Sequence, residues 1–206
     1  MGDDINMVTN AEWNQSQKGE KDFWQLQNYP IIDIYKEIYN IFDDTIKSTE
    51  KESSLVLDVG CGAIAYSVIH GFRNVVLYDS LIEEYLKFDS SKTNIPESTR
   101  ACYKGTTEDM SIFWDNWYDL IFCLNMLDHV CDMEISFKEI CRVLKVGGKL
   151  LFSCDLRNEI DECHPNLVTK DFILKLIKDN SLTVEKERYT NHIGFECYQA
   201  VLKKII

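Results

Sequence analysis

Two acids and two glycines are the residues of this chain best spaced to do chemistry. The apolar run Leu55-Val56-Leu57 ends in Asp58, and after Val59 comes a glycine-rich turn, Gly60-Cys61-Gly62-Ala63. A second apolar run, Val75-Val76-Leu77-Tyr78, ends in Asp79. Glycines let a backbone turn sharply off a strand and lie close against a ligand. An acid at the end of the second strand is placed to accept hydrogen bonds from ribose hydroxyls. Strand, turn and acid together outline a nucleotide-binding βαβ unit.

Asp58 decides which nucleotide. Read as Gly60-x-Gly62-x-x-Ala65, the turn formally meets the dinucleotide fingerprint. A dinucleotide would set its pyrophosphate on this turn and the next helix N-terminus, where the Asp58 carboxylate would repel it. A ligand carrying an ammonium or a sulfonium would be attracted instead. The segment Val56-Leu57-Asp58-Val59-Gly60-Cys61-Gly62 resembles the first motif of the class I S-adenosylmethionine-dependent methyltransferases.

The resemblance runs on in order from about Ser54 to Ser153. Asp79 matches the second-motif acid. Cys102-Tyr103-Lys104-Gly105-Thr106-Thr107-Glu108-Asp109-Met110 is similar to the third motif, a strand running into a polar loop beside the adenine. Tyr118 to Val130 resembles the fourth strand and its loop, with Leu127-Asp128-His129-Val130 where the family commonly has Leu-Glu-His-Val. Phe137 to Phe152 resembles the following helix, Gly147-Gly148 turn and fifth strand. The family usually carries a third glycine in its first motif; here that position is Ile64.

This likeness implies S-adenosylmethionine as cofactor and methyl transfer to an oxygen or nitrogen of a small-molecule acceptor. Asp58, Gly60 and Gly62 would hold the methionine end, with Cys61 and Ala63 contributing backbone. Asp79 would hold the ribose with Ser80 beside it, Thr107 and Glu108 would border the adenine, and Leu124 and Asn125 would line the methyl-transfer side. An acceptor hydroxyl or protonated amine must lose a proton, and histidine is suited to take it near neutral pH. His129, after the fourth strand, and His164, after the fifth, are the catalytic candidates. His129 would equally pack the next helix, His164 would equally be an exposed loop residue, and Asp128 is expected to face solvent. Trp13, Phe23, Trp24 and Tyr29 are expected to form a lid over the site, with helix packing as the other reading. A nicotinamide-dependent oxidoreductase, or a non-catalytic partner protein on the same fold, stays open as the alternative.

The elements that must position these residues follow from periodicity. Apolar runs at 54–59, 74–78, 100–104, 117–123 and 148–154 read as strands, with helical stretches at 81–88 and 132–145. Pro30 suits a helix start, and Ile31, Ile34, Ile38, Ile41 and Phe42 recur at helical spacing. Thr169 is a candidate N-cap for a helix to Asp179, and strands at 182–189 and 194–203 close the chain. Such alternation predicts an α/β, doubly wound, mostly parallel sheet with helices on both faces. The resemblance makes it seven-stranded with a C-terminal antiparallel hairpin. One domain, 1–206, is expected: a helical lid or cap over 1–50 and a Rossmann-like core over 51–206.

Composition narrows the partners. A formal net charge of −12 with dispersed basic residues opposes binding to phosphate backbones, so nucleic acid is not expected. Cys123-Leu124-Asn125-Met126 also differs from the Asn-Pro-Pro-Tyr pocket of base-amine methylation. No apolar run approaches a membrane span, and the acidic start Met1-Gly2-Asp3-Asp4 is unlike a signal peptide. Eight cysteines include no CxxC pair, which favours reduced, buried thiols, no metal site and a cytoplasmic location. Oligomeric state is not readable.

Overall fold

The computed structural model describes residues 8–26, 31–95, 101–192 and 194–206. Among these the strands are β1 (Val56–Val59), β2 (Val75–Asp79), β3 (Cys102–Lys104), β4 (Tyr118–Leu124), β5 (Leu144–Asp155), β6 (Leu182–His192) and β7 (Phe195–Lys204). The helices are α1 (Asn10–Leu26), α2 (Ile31–Ile38), α3 (Asp43–Ser48), α4 (Tyr66–Ile69), α5 (Ile82–Tyr85), α6 (Met133–Val143) and α7 (Lys170–Asp179). All seven strands join one sheet in the order β3-β2-β1-β4-β5-β7-β6. The first five in that order run parallel; β7 is antiparallel to β5, and β6 to β7. The expected α/β sheet with its C-terminal hairpin is therefore present.

Strand periodicity sorts the core into two layers. In β4, Leu120 and Phe122 pack with Phe42, Ile46, Tyr66 and Ile82. Their neighbours Ile121 and Cys123 face the other way, onto Phe137 and Ile140 of α6 and Ile173 and Leu176 of α7. A central parallel strand is covered on both faces, which is why its sequence is continuously apolar rather than alternating. Side chains cap both helices of the second layer: Asp132 accepts from the Ile135 N–H at 2.9 Å, and Thr169 from the Phe172 N–H at 3.2 Å.

Boundaries moved where tertiary pairing overrode local pattern. The helix expected to 145 ends at Val143, and β5 begins at the next residue, with Leu144 opposite Tyr118. Pairing then skips to Leu120 opposite Lys149, so the Gly147-Gly148 pair sits in a bulge within β5. Gly147, at φ +82°, adopts a conformation that no helix can include. The helix expected over 81–88 is a single turn at α5, and the hairpin is tighter than expected because Thr190, Asn191 and His192 pair across it. Pro30 and Tyr29 lie outside the described residues. Among the described residues no helix is long and apolar enough to cross a membrane.

β1 has β2 on one side and β4 on the other. The connection from β1 runs to β2 on one side and the one from β4 runs to β5 on the other, which opens a crevice at the carboxyl ends of the strands.

Candidate functional site

A cavity of about 560 Å³ occupies that crevice, lined by the ends of β1, β2, β4 and β5 and by α1. Gly60 and Gly62 have φ of +61° and +59°, where a side chain is strained. A Cβ on Gly60 would stand 2.5 Å from Met126, and one on Gly62 would stand 2.8 Å from the Trp24 ring. Asn94 pins the rest of the loop. It accepts from the Ala65 N–H at 2.8 Å and donates to the Ala65 carbonyl at 2.9 Å. Ala63 is wholly buried, and Ile64 both packs into the core and lines the cavity.

The two strand-end acids hold this loop in shape. Asp58 Oδ2 accepts from the Ser67 N–H at 3.0 Å and its hydroxyl at 2.6 Å, anchoring the start of α4. Asp79 accepts from the Gly62 N–H through Oδ2 at 3.0 Å and from the Leu81 N–H through Oδ1 at 2.7 Å. Each Asp79 oxygen therefore keeps lone-pair capacity for a further donor. Burial pushes the pKa of both acids up to about 6, the bonds from Ser67, Leu81 and Gly62 working against it. Cys61 lines the cavity as a buried thiol, and the Ser80 hydroxyl donates to Gln17 of α1.

The third-motif and β4 residues also reach the cavity, with structural duties. The Thr107 hydroxyl donates to Ser136 Oγ at 2.9 Å. Glu108 Oε1 accepts from the Cys131 and Asp132 N–H groups at 2.6 and 3.1 Å, tying the loop before α6. Leu124 ends β4, and Asn125 follows at φ +53°, its Oδ1 accepting from the Asp155 N–H at 3.2 Å. Asparagine tolerates this left-handed conformation better than most residues.

Helix α1 forms one wall of the cavity. Trp13, Gln17, Glu20, Phe23 and Trp24 all line the cavity. The helix is tied down by Ser16 Oγ donating to the Cys163 carbonyl at 2.6 Å and by an ion pair between Lys21 and Glu84 at 2.7 Å. Trp24 Nε1 donates to Glu20 at 2.7 Å, and its ring meets Tyr85 edge-on at 6.3 Å.

The two histidines come together, their ring centroids 4.4 Å apart. His129 Nδ1 donates to the Cys163 carbonyl at 2.9 Å. His164 Nδ1 donates to Asp161 at 2.6 Å, while its Nε2 accepts from Arg157 Nη2 at 2.9 Å. A guanidinium only donates, so this contact sets the tautomer of a neutral His164. Burial and the neighbouring His129 hold the His164 pKa below the usual histidine value. Burial also pulls His129 down, but Asp128, Glu20 and the Cys163 carbonyl outweigh it and leave its pKa raised.

Asp128, expected in solvent, is fully buried and receives Arg157 Nε on Oδ2 at 3.0 Å. Its position follows a 3₁₀ turn after β4 that folds Leu127 and Asp128 inward. Arg157, which spacing alone did not single out, donates further to Asp161 at 3.0 Å and lies 4.2 Å over the Phe195 ring. The one sequence signal for it is an arginine amid the acids of Asp155 to Glu162.

A family model described as a methyltransferase domain matches residues 57–152, the span from β1 to β5. The ubiquinone biosynthesis O-methyltransferase of Pseudomonas savastanoi pv. phaseolicola is 29% identical over 130 residues, covering 63% of this chain and 55% of that protein. The tRNA U34 carboxymethyltransferase of Helicobacter acinonychis is 28% identical over 138 residues, covering 62% and 52%. The chain thus spans little more than half the length of these two relatives. A solved S-adenosylmethionine-dependent methyltransferase from Aquifex aeolicus superposes with a TM-score of 0.60 at 16% identity, covering 89% of this chain and 98% of that one. With the motif order, the switch-point cavity and the sheet all in agreement, residues 57–152 match the methyltransferase-domain family, and the fold is the one seen in solved S-adenosylmethionine-dependent methyltransferases.

Proposed function

We propose that this enzyme methylates an oxygen or nitrogen atom of a small molecule. The observation that carries this reading is a cavity of about 560 Å³ lined by α1 and the segment around Cys163 as well as by the strand ends. That volume is of the size that takes a small ligand and buries most of it. The net charge of −12 argues against a phosphate-backbone acceptor. The O-methyltransferase among the relatives is consistent with an oxygen acceptor, and the tRNA-modifying relative supplies the competing one.

The residues fit the cofactor. Asp79, with spare lone pairs between two backbone donors, would take the ribose hydroxyls. Asp58, Gly60 and Gly62, with the backbone of Cys61 and Ala63, would hold the methionine end. Thr107 and Glu108 would border the adenine, Ser80 the ribose side, and Leu124 and Asn125 the methyl-transfer side. S-adenosylmethionine supplies a methyl group on a sulfonium, an electrophile already activated by its charge. What remains for the protein is to align an acceptor, exclude water and help it lose a proton. His129 and His164, paired at the covered end, are the proposed groups for that last task. Residues 1–50 would act as the lid of a single domain.

The test is S-adenosylhomocysteine release in the presence of a panel of phenols, hydroquinones and small amines, against total tRNA. Release above background with a small acceptor is expected. Release with tRNA alone would overturn the small-molecule reading.

A further inference from the structure

Cysteine spacing points to no metal, yet the fold gathers a different donor set. We propose that Asp128, His129 and His164 bind one first-row divalent cation of the zinc or manganese type at the covered end of the cavity. Their ligand atoms all lie within 4.8 Å of one another. Asp128 Oδ1 is 3.7 Å from His129 Nε2, close to the edge of about 3.4 Å in a tetrahedral site with 2.0–2.1 Å bonds.

Both imidazoles are oriented as ligands. His129 Nδ1 faces a carbonyl and His164 Nδ1 faces a carboxylate. Those partners only accept, so each ring carries a proton on Nδ1, and in the neutral form its Nε2 lone pair is turned inward. Metal-binding histidines are held by this kind of outer hydrogen bond. Asp128 supplies the second, independent observation. Its side chain is fully buried, and Oδ1 accepts no hydrogen bond. A buried carboxylate oxygen opposite an imidazole lone pair is a costly pairing of two acceptors, which a cation between them relieves.

Local charge agrees. Asp128, Asp161 and Glu20 approach the histidine pair, and Arg157 is the guanidinium among them. Arg157 Nη2 occupies the His164 lone pair, so loading requires that one contact to open. The guanidinium is rigid and planar, so opening that contact also means that Arg157 tilts away from Asp128 Oδ2 and Asp161 or that the His164 ring turns. Two imidazoles and one carboxylate favour zinc, manganese or iron over magnesium. Given the proposed acceptor reading, on which this last step rests, the cation would lower the pKa of an acceptor hydroxyl. The hydroxyl proton would then leave to water, the two histidines serving deprotonation as ligands of the cation and not as the base.

The test is equilibrium dialysis of chelator-stripped protein against manganese chloride and zinc chloride. One equivalent should bind, at least ten-fold more weakly in His129→Gln and in His164→Gln, and unchanged in Cys163→Ser. Cobalt loaded into the wild type adds a readout that needs no variant: imidazole and carboxylate ligation gives only weak visible bands. An intense thiolate charge-transfer band, no binding below about 100 μM (a ~5.5 kcal/mol interaction), or equal binding by both histidine variants would overturn the site. S-adenosylhomocysteine binding measured on the same samples separates the two claims. Nucleoside binding without metal binding would refute the cation site alone. Metal binding without nucleoside binding would leave the cation site standing and count against the acceptor reading.

Discussion

At the scale of single residues, the site is built from acids that the fold makes uncomfortable. Asp58 and Asp79 are 3% and 9% exposed, and burial raises both pKa values to about 6. A carboxyl whose folded pKa lies above its unfolded value binds its proton more tightly when folded. Folding stability from that group is therefore greatest at low pH and falls as pH rises from about 4 to about 6. Wild type should lose on the order of 2 kcal/mol relative to Asp79→Asn across that window. Chemical denaturation of both proteins at pH 4, 5, 6 and 7 reads this directly, and a pH-independent difference would contradict it. These acids and the glycines beside them were legible in the sequence because each ends an apolar run. Asp128, Arg157 and Asp161 were not. Asp128 meets Arg157 from a segment about thirty residues away, a meeting that no local spacing encodes, and Asp161, four residues beyond Arg157, joins them through it.

At the scale of elements, the glycine loop and α1 act as one unit. Gly62→Ala meets both a positive φ and the Trp24 ring at 2.8 Å. Gly71 lies at φ +73°, and an alanine methyl there would have nothing within 4 Å. Gly71→Ala should cost only the backbone term, about 1–2 kcal/mol. Gly62→Ala should cost more, and Trp24→Leu in the same chain should recover the excess but not the backbone term. Thermal unfolding of the three variants is the check; equal losses for the two alanines would show that α1 does not bear on the loop. Strands β1, β2, β4 and β5 were readable because parallel strands buried on both faces are continuously apolar. Helix α1 was expected only as part of a helical lid or cap over 1–50, with no bounds of its own. It buries just Ser16 and Trp24 among its described residues, too few to stamp a helical period on the sequence. Trp13, Phe23 and Trp24 nevertheless line the cavity.

At the scale of the whole molecule, strand order does the positioning. Reversing direction at β1 sets Asp58, Asp79 and Asn125 around one crevice, and α1 lies across it. The sheet order was legible through the family's motifs rather than through periodicity, which cannot say which strands are neighbours. The central claim is that this crevice binds the adenosyl cofactor through Asp79, and calorimetric titration with S-adenosylhomocysteine tests it most directly. Wild type should bind one equivalent. Asp79→Asn should bind about 10–100-fold more weakly, the loss expected for one charge-assisted hydrogen bond. No binding by the folded wild type, or equal affinity in the two proteins, would contradict the account.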